Sequence, residues 1–286
     1  MITSKLKSYY RLTKPGIVYA NTFSALAGYL YATSWHIHLS KLIGLVFGTA
    51  LLIASACVYN NYLDIPIDKV MSRTAKRELP TSKISVKSAK IYLYVLLIIS
   101  LILLSIYTNF LTVVIGILSY LSYVFIYGYF KRYSKWGTLV GSFPGAASLI
   151  AGYVAYKNQL DLAVFFLLLI MIAWQMAHFY AIAIYRYDDY RKANLPVWPV
   201  TEGVANTIKW IFFYMVLFMF ANIGLSLFAN AGFTYLFVML VISYLWIYLS
   251  VKKVSKVSDE IWAKQVFKHS LMVNIGFLIT LALVRV

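Results

Sequence analysis

The sequence predicts an all-α polytopic membrane protein, a bundle of nine transmembrane helices with cytoplasmic cap loops over a central cavity. Composition is the first indication: 62% of the 286 residues are hydrophobic and 12% charged, with a mean hydropathy of +0.77. The second is length, because the apolar residues fall in runs of roughly 17–22, what a helix needs to cross about 30 Å of hydrocarbon. The third is pattern. The runs are continuous, whereas a transmembrane β-barrel shows short alternating segments. A single cysteine, Cys57, excludes an intramolecular disulfide and gives no zinc site.

The elements follow in order. Residues 1–14 are too polar for a signal-peptide core and too short for a transit peptide, so the mature chain is expected to begin at Met1. Spans are predicted near 17–34, 40–59, 90–108, 111–130, 138–156, 162–184, 208–228, 232–251 and 269–285. The N-terminal tail and the connections after the second, fourth, sixth and eighth spans carry 23 of the 26 lysines and arginines. Only Lys41, Lys157 and Arg285 fall on the other side, which predicts a cytoplasmic N-terminus and, after nine spans, an external C-terminus. This topology accounts for most of the net charge of +17, so no nucleic-acid partner is implied, and part of the basic face contacts anionic lipid headgroups. Residues 1–286 are expected to form a single transmembrane domain. The 60–90 and 185–209 connections both follow even-numbered spans and open with acids, which suggests two related halves.

The stretch Asn60-Asn61-Tyr62-Leu63-Asp64-Ile65-Pro66-Ile67-Asp68-Lys69 is where acids meet a hydrocarbon-rich span. Asn60, Asp64 and Asp68 are four residues apart, which on a helix puts three oxygen-bearing side chains on one face. Such a ladder suits Mg²⁺, which is held by one or two carboxylates together with substrate phosphates. Lys69, Arg73, Lys76 and Arg77 follow and would supply charge for those phosphates. The plainer alternative is a solvated acidic helix end. Pro66 is expected to bend the ladder between Asp64 and Asp68.

A second constellation ends the sixth span, from Trp174-Gln175-Met176-Ala177-His178 to Tyr185-Arg186-Tyr187-Asp188-Asp189. Helical spacing lines up Gln175, His178, Ile182, Tyr185 or Arg186, and Asp189 on one side, and polar groups inside a span usually mark a site. The plainer alternatives are an interhelical hydrogen bond for His178 and a solvated helix end for Asp188 and Asp189. Two oxygen-rich patches beside cations suggest a site for a Mg²⁺-bound diphosphate whose apolar tail runs into the bundle. A secondary transporter is the competing class, but transporter sites lie near the midplane, whereas these acids lie at span ends. Tyr59, Tyr62, Tyr123, Tyr127, Tyr180 and Tyr185 line span ends near this site, as interfacial anchors or as π-faces toward an allylic cation.

These residues resemble the UbiA-type intramembrane prenyltransferases and, within them, the haem O synthase branch. The resemblance runs through nearly the whole chain: Leu12-Thr13-Lys14-Pro15-Gly16, then Ala54 to Asp64 with Asp68, Met71 to Arg77, and Trp136-Gly137-Thr138-Leu139-Val140-Gly141-Ser142. It continues through Trp174-Gln175-Met176 with His178, Tyr180-Ala181-Ile182-Ala183-Ile184-Tyr185-Arg186 and Ala193 to Val200. The Trp-Gln-Met-x-His and Tyr-Ala-Ile-Ala-Ile runs are its most specific parts, and they argue against a UbiA-type enzyme acting on a quinone precursor or other aromatic acceptor. Pro66 stands where the family often has another aspartate, and Tyr185 where its second Asp-x₃-Asp would begin. Ser148-Leu149 stand where prolines are usual.

The resemblance implies farnesyl transfer from farnesyl diphosphate to a vinyl carbon of haem B, with water added, in a bacterial or archaeal cytoplasmic membrane. Asn60, Asp64, Asp68 and Asp189 are then expected to hold Mg²⁺, with Asp188 behind them, and Asp64, Asp68 and Asp189 to be catalytic. Arg73, Lys76, Arg77, Lys131, Arg132 and Arg186 are expected on the diphosphate, and Gln175 and His178 on the haem side. A haem A synthase or terminal oxidase assembly is the implied partner.

Overall fold

The computed structural model describes residues 2–71, 74–254 and 256–284. Among them the chain is helical, in the order α1 (Ile2–Leu12), α2 (Pro15–Thr33), α3 (Leu39–Leu63), α4 (Ile65–Val70) and α5 (Val86–Tyr107). Then come α6 (Phe110–Leu121), a π-helical segment (Ser122–Tyr127) and α7 (Gly128–Tyr133), which together make one continuous rod, Phe110–Tyr133. The rest is α8 (Gly137–Lys157), α9 (Leu162–Tyr185), α10 (Tyr187–Lys192), α11 (Trp198–Glu202), α12 (Val204–Phe228), α13 (Gly232–Lys253) and α14 (Asp259–Leu283).

Each predicted span coincides with a long helix. Among the described residues 8 helices are long and apolar enough to cross a membrane. The ninth rod, α2, has the length but is diluted by Asn21, Thr22, Ser24 and three tyrosines. The last helix begins at Asp259, ten residues before the predicted span. Its first turns are amphipathic, carrying charge outward while Trp262, Ala263 and Val266 enter the core, so hydropathy alone placed the boundary late. Local sequence starts several rods: Ser85, Asn109 and Asp161 accept from the amides of Ser88, Thr112 and Val164 at the N-termini of α5, α6 and α9.

The most extensive pairings are α3 with α5, α9 with α12 and α2 with α8. Lipid is as apolar as leucine, so helices in a membrane associate by close approach and polar stitching. Ser55 and Ser100 hydroxyls donate to the carbonyls of Leu93 and Gly48 at 2.8 and 2.7 Å, joining α3 to α5. On the α2–α8 seam, Gly28 lies against the Leu149 carbonyl and Gly152 against that of Ala25, leaving no space for a β-carbon on either. The largest core joins α2, α8, α9, α12, α13 and α14. The other side of the bundle has smaller cores, around α3 with α5 and around α3 with α6. A cavity lies there, lined by Asn21, Leu52, Leu104, Gly116, Pro144 and Ala151 among others.

Candidate functional site

Two helix breaks build the site. α3 ends at Leu63 and α4 begins at Ile65, so Asp64, at φ −81° and ψ 0°, caps both. Pro66 explains the break, since it has no amide hydrogen and would clash within a continuous helix but fits the first turn of a new one. The helical bonding survives the bend: Asp64 N–H donates to Asn60 C=O at 2.9 Å and Asp68 N–H to Asp64 C=O at 2.7 Å. Asn60, Asp64 and Asp68 therefore stay one turn apart, as their spacing predicts, and all three are buried.

A buried carboxylate requires a partner, and both have one. Lys131 Nζ donates to Asp64 Oδ2 at 2.5 Å, and an Arg132 nitrogen lies 3.6 Å from Asp64 Oδ1. The same Arg132 nitrogen donates to the Leu63 carbonyl, one of the acceptors left over where α3 stops. Arg77 pairs with Asp68, whose backbone carbonyl accepts from Thr74 Oγ1 at 3.2 Å. Asn60 Oδ1 accepts from Lys14 Nζ at 3.1 Å. Three cations thus face the two carboxylates, and a fourth the Asn60 carboxamide. Lys76 is exposed on the same connection, and Arg73 lies outside the described residues.

Lys14 is the residue to which the sequence assigned no role at the site: it stands in the Leu12–Gly16 run of the family resemblance and otherwise reads as one more topological charge before the first span. The residue as a whole is half-buried. Burial pushes its ammonium down to about 8, with Lys131 and Arg77 adding to the shift and Cys57 and Asp64 opposing it. A second unforeseen feature is the π-helical segment between α6 and α7, the kind of winding that often marks functional sites. Its Tyr123 and Tyr127 rings stack at 5.3 Å, and the Lys131 ammonium lies 6.0 Å from the Tyr127 ring.

The second break corrects an expectation. The line from Gln175 to Asp189 is not one helix face, because α9 ends at Tyr185 and Arg186 takes φ −115° and ψ 26° before α10. Asp188 and Asp189 thereby occupy the first turn of a new helix, where exposed N–H groups favour carboxylates. Asp188 is exposed and Asp189 half-buried. Tyr185 holds cations by its ring instead, with the Arg186 guanidinium 4.3 Å and the Lys264 ammonium 5.5 Å from its centroid.

Deeper along α9 the two acceptor-side candidates turn to different neighbours. Gln175 Nε2 donates to the carbonyls of Ser142 in α8 and Met171, at 3.0 and 3.1 Å. His178 Nδ1 lies 2.7 Å from Ser270 Oγ of α14, with its ring stacked on Trp174 at 4.9 Å. Both are buried.

The ladder offers hard donors, one amide oxygen and two carboxylates. Among the described residues no three His, Cys, Asp or Glu converge. The set therefore fits the Mg²⁺ mode, few protein ligands completed by substrate oxygens, better than a closed cage of the zinc type. Acids at helix ends also suit a diphosphate at the membrane surface better than ion coupling at the midplane.

The profile of the UbiA prenyltransferase family matches residues 21–272. The chain is 39% identical over 268 residues to the protoheme IX farnesyltransferase of Yersinia pseudotuberculosis serotype O:1b (strain IP 31758), covering 93% of this chain and 91% of that protein. Among solved structures, a digeranylgeranylglyceryl phosphate synthase matches with a TM-score of 0.81 at 22% identity, covering 99% of each chain. A UbiA homologue from Archaeoglobus fulgidus bound to GPP and Mg²⁺ matches with a TM-score of 0.67 at 15% identity, covering 96% of this chain and 99% of that one. These two likenesses establish the fold.

Proposed function

The chain belongs to the UbiA prenyltransferase family, and we propose that it transfers the farnesyl group of farnesyl diphosphate to a vinyl carbon of haem B. Water adds at the neighbouring carbon, giving haem O and diphosphate. The observation that carries the donor half is the buried cluster at the end of α3, where Asn60, Asp64 and Asp68 meet Lys14, Arg77, Lys131 and Arg132. The acceptor half is supported by the 39% identity to a protoheme IX farnesyltransferase.

Asn60, Asp64 and Asp68, with Asp189 and behind it Asp188, would hold Mg²⁺, which when bound supplies Lewis-acid neutralisation of the leaving oxygens. Arg77, Lys131 and Arg132 bind those oxygens, with Arg73, Lys76 and Arg186 as further ligands. Cations fixed in place before reaction cost no reorganisation as charge develops, which makes such groups strong contributors to rate. Tyr123 and Tyr127 offer π-faces to the allylic cation, and the bundle keeps water from it until the vinyl group attacks. The cavity lined by Leu52 and Gly116 lies about 12 Å along α3 from Asn60 at 1.5 Å per residue, where the isoprenoid tail would run. Gln175 and His178 serve the acceptor. The enzyme sits in a bacterial or archaeal cytoplasmic membrane, N-terminus inside, and a haem A synthase or terminal oxidase assembly takes up the product.

Purified protein incubated with haem B, farnesyl diphosphate and Mg²⁺ tests the proposal. Chromatography of the pigments should show a farnesylated, hydrated haem; unchanged haem alongside a prenylated quinone precursor would overturn the acceptor.

A further inference from the structure

Lys14 differs from the other cations of the cluster in what it faces. Arg77 and Lys131 each meet a carboxylate, whereas the Lys14 ammonium donates to the neutral carboxamide of Asn60 at 3.1 Å. An ammonium drawn out of water toward an uncharged partner keeps an unmatched charge. Arg132 Nε, in the same cluster, is buried with no hydrogen-bond partner. The four cations therefore exceed their two carboxylates, and they retain a donor that an anionic oxygen would satisfy.

The backbone supports the same reading. Lys14 adopts φ 54° and ψ 65°, left-handed, directly before Pro15. Left-handed geometry is uncommon for a residue with a side chain, and a following proline favours extended backbone instead. Neighbours enforce the conformation: Asn61 Nδ2 donates to the Leu12 carbonyl at 2.8 Å, and Thr13 Oγ1 to that of Tyr10 at 2.7 Å. Strain of this kind persists where surroundings over-determine it, often at ligand clamps. Here the α1–α2 corner is tied down by Asn61 while its lysine is aimed at Asn60.

We propose that Lys14 is a further diphosphate-binding residue, presented to the leaving group by the α1–α2 corner. This rests on the prenyl-diphosphate reading of the site, and the test separates the two. Mg²⁺ with inorganic pyrophosphate is titrated calorimetrically into the full-length protein in detergent and into Lys14→Gln and Lys14→Arg. Lys14→Gln should bind about tenfold more weakly, as expected for one lost hydrogen bond between charged groups, and Lys14→Arg should recover most of the loss. Haem binding, followed by absorbance, should be unchanged, as should the unfolding temperature. Protection of Lys14 from amine labelling by Mg²⁺-pyrophosphate gives the same test on the unaltered protein. Equal pyrophosphate affinity in wild type and Lys14→Gln, or no protection, overturns the inference alone. Parallel loss of pyrophosphate and haem binding with a lower unfolding temperature overturns it in favour of a structural corner. Wild-type protein that binds no pyrophosphate overturns the underlying reading as well.

Discussion

Arg77 sets a single guanidinium nitrogen against both oxygens of Asp68, at 3.1 and 2.9 Å. The two come from one connection, whereas Asp64 draws its cations, Lys131 and Arg132, from the end of the rod Phe110–Tyr133. Neighbouring carboxylates are thus held by cations from different elements, which orients both before any ligand arrives.

Asp64→Asn and Asp68→Asn keep volume but remove the charge and one of the two acceptor oxygens. Each should lower haem O formation by about 10²–10³, the usual loss for a preorganised electrostatic group, while the protein still accumulates in membranes. Near-normal turnover in both variants would return these acids to a structural role.

Arg77→Ala should raise the KM for farnesyl diphosphate about tenfold, the worth of a charged hydrogen bond, and leave haem affinity alone. Steady-state kinetics with each substrate varied in turn decides this, and an effect confined to haem would remove Arg77 from the donor side.

His178→Ala should impair haem binding or turnover while Mg²⁺ and farnesyl diphosphate still bind. Ser270→Ala removes the bond to the His178 ring together with the hydroxyl's bond to the Phe267 carbonyl, each worth about 1 kcal/mol, and should leave haem turnover close to wild type. Parallel loss of both substrates in His178→Ala would reduce the histidine to an interhelical tie.

Gly152→Ala would put a β-carbon 1.9 Å from the Ala25 carbonyl oxygen, part of the backbone and unable to swing aside. Overpacking of this kind typically costs about 1–3 kcal/mol, so the variant should unfold at lower temperature in detergent. Gly16→Ala, with nothing within 4 Å of the added carbon, is the control expected to keep wild-type stability.

A reporter fused after Val286 should read as external and one inserted at 252–258 as cytoplasmic, since 23 of 26 cations lie on the opposite side from the C-terminus. Protease accessibility in sealed vesicles checks both, and a cytoplasmic C-terminus would invert the assignment.

The rods were legible because a hydrocarbon slab imposes a length on every apolar segment, and the Asn60–Asp64–Asp68 ladder was legible because its spacing matches a helical turn. Pro66 announced the bend at Asp64. Nothing announced the break at Arg186, where neither proline nor glycine stands and the next helix recruits Asp188 and Asp189 to its first turn. Lys14 was hidden for a different reason. Topology accounted for its charge and the Leu12–Gly16 run gave it no partner, and its bond to Asn60 exists only once the α1–α2 corner folds across 46 residues of sequence separation onto α3. The cation–π grip of Tyr185 on Lys264 is likewise long-range, and a tyrosine at the end of a span gives no hint of its partner.

The π-helical segment Ser122–Tyr127 has a consequence for how this site tolerates insertion and deletion. A π-turn accommodates one residue more than the α-helix around it, and each residue is worth about 100° of rotation at 3.6 residues per turn. Deleting one residue there would restore an unbroken α-helix and leave Lys131 and Arg132 in nearly the same phase, whereas a further residue, with no second wide turn to take it up, would swing them by roughly that angle away from Asp64. The rod therefore holds one residue more than an α-helix of its length while keeping these cations aligned with the acids of α3. Hydropathy does not register that extra residue, so the tolerance for a one-residue deletion at Ser122–Tyr127, and at no ordinary α-helical turn, is visible only in the winding of the rod.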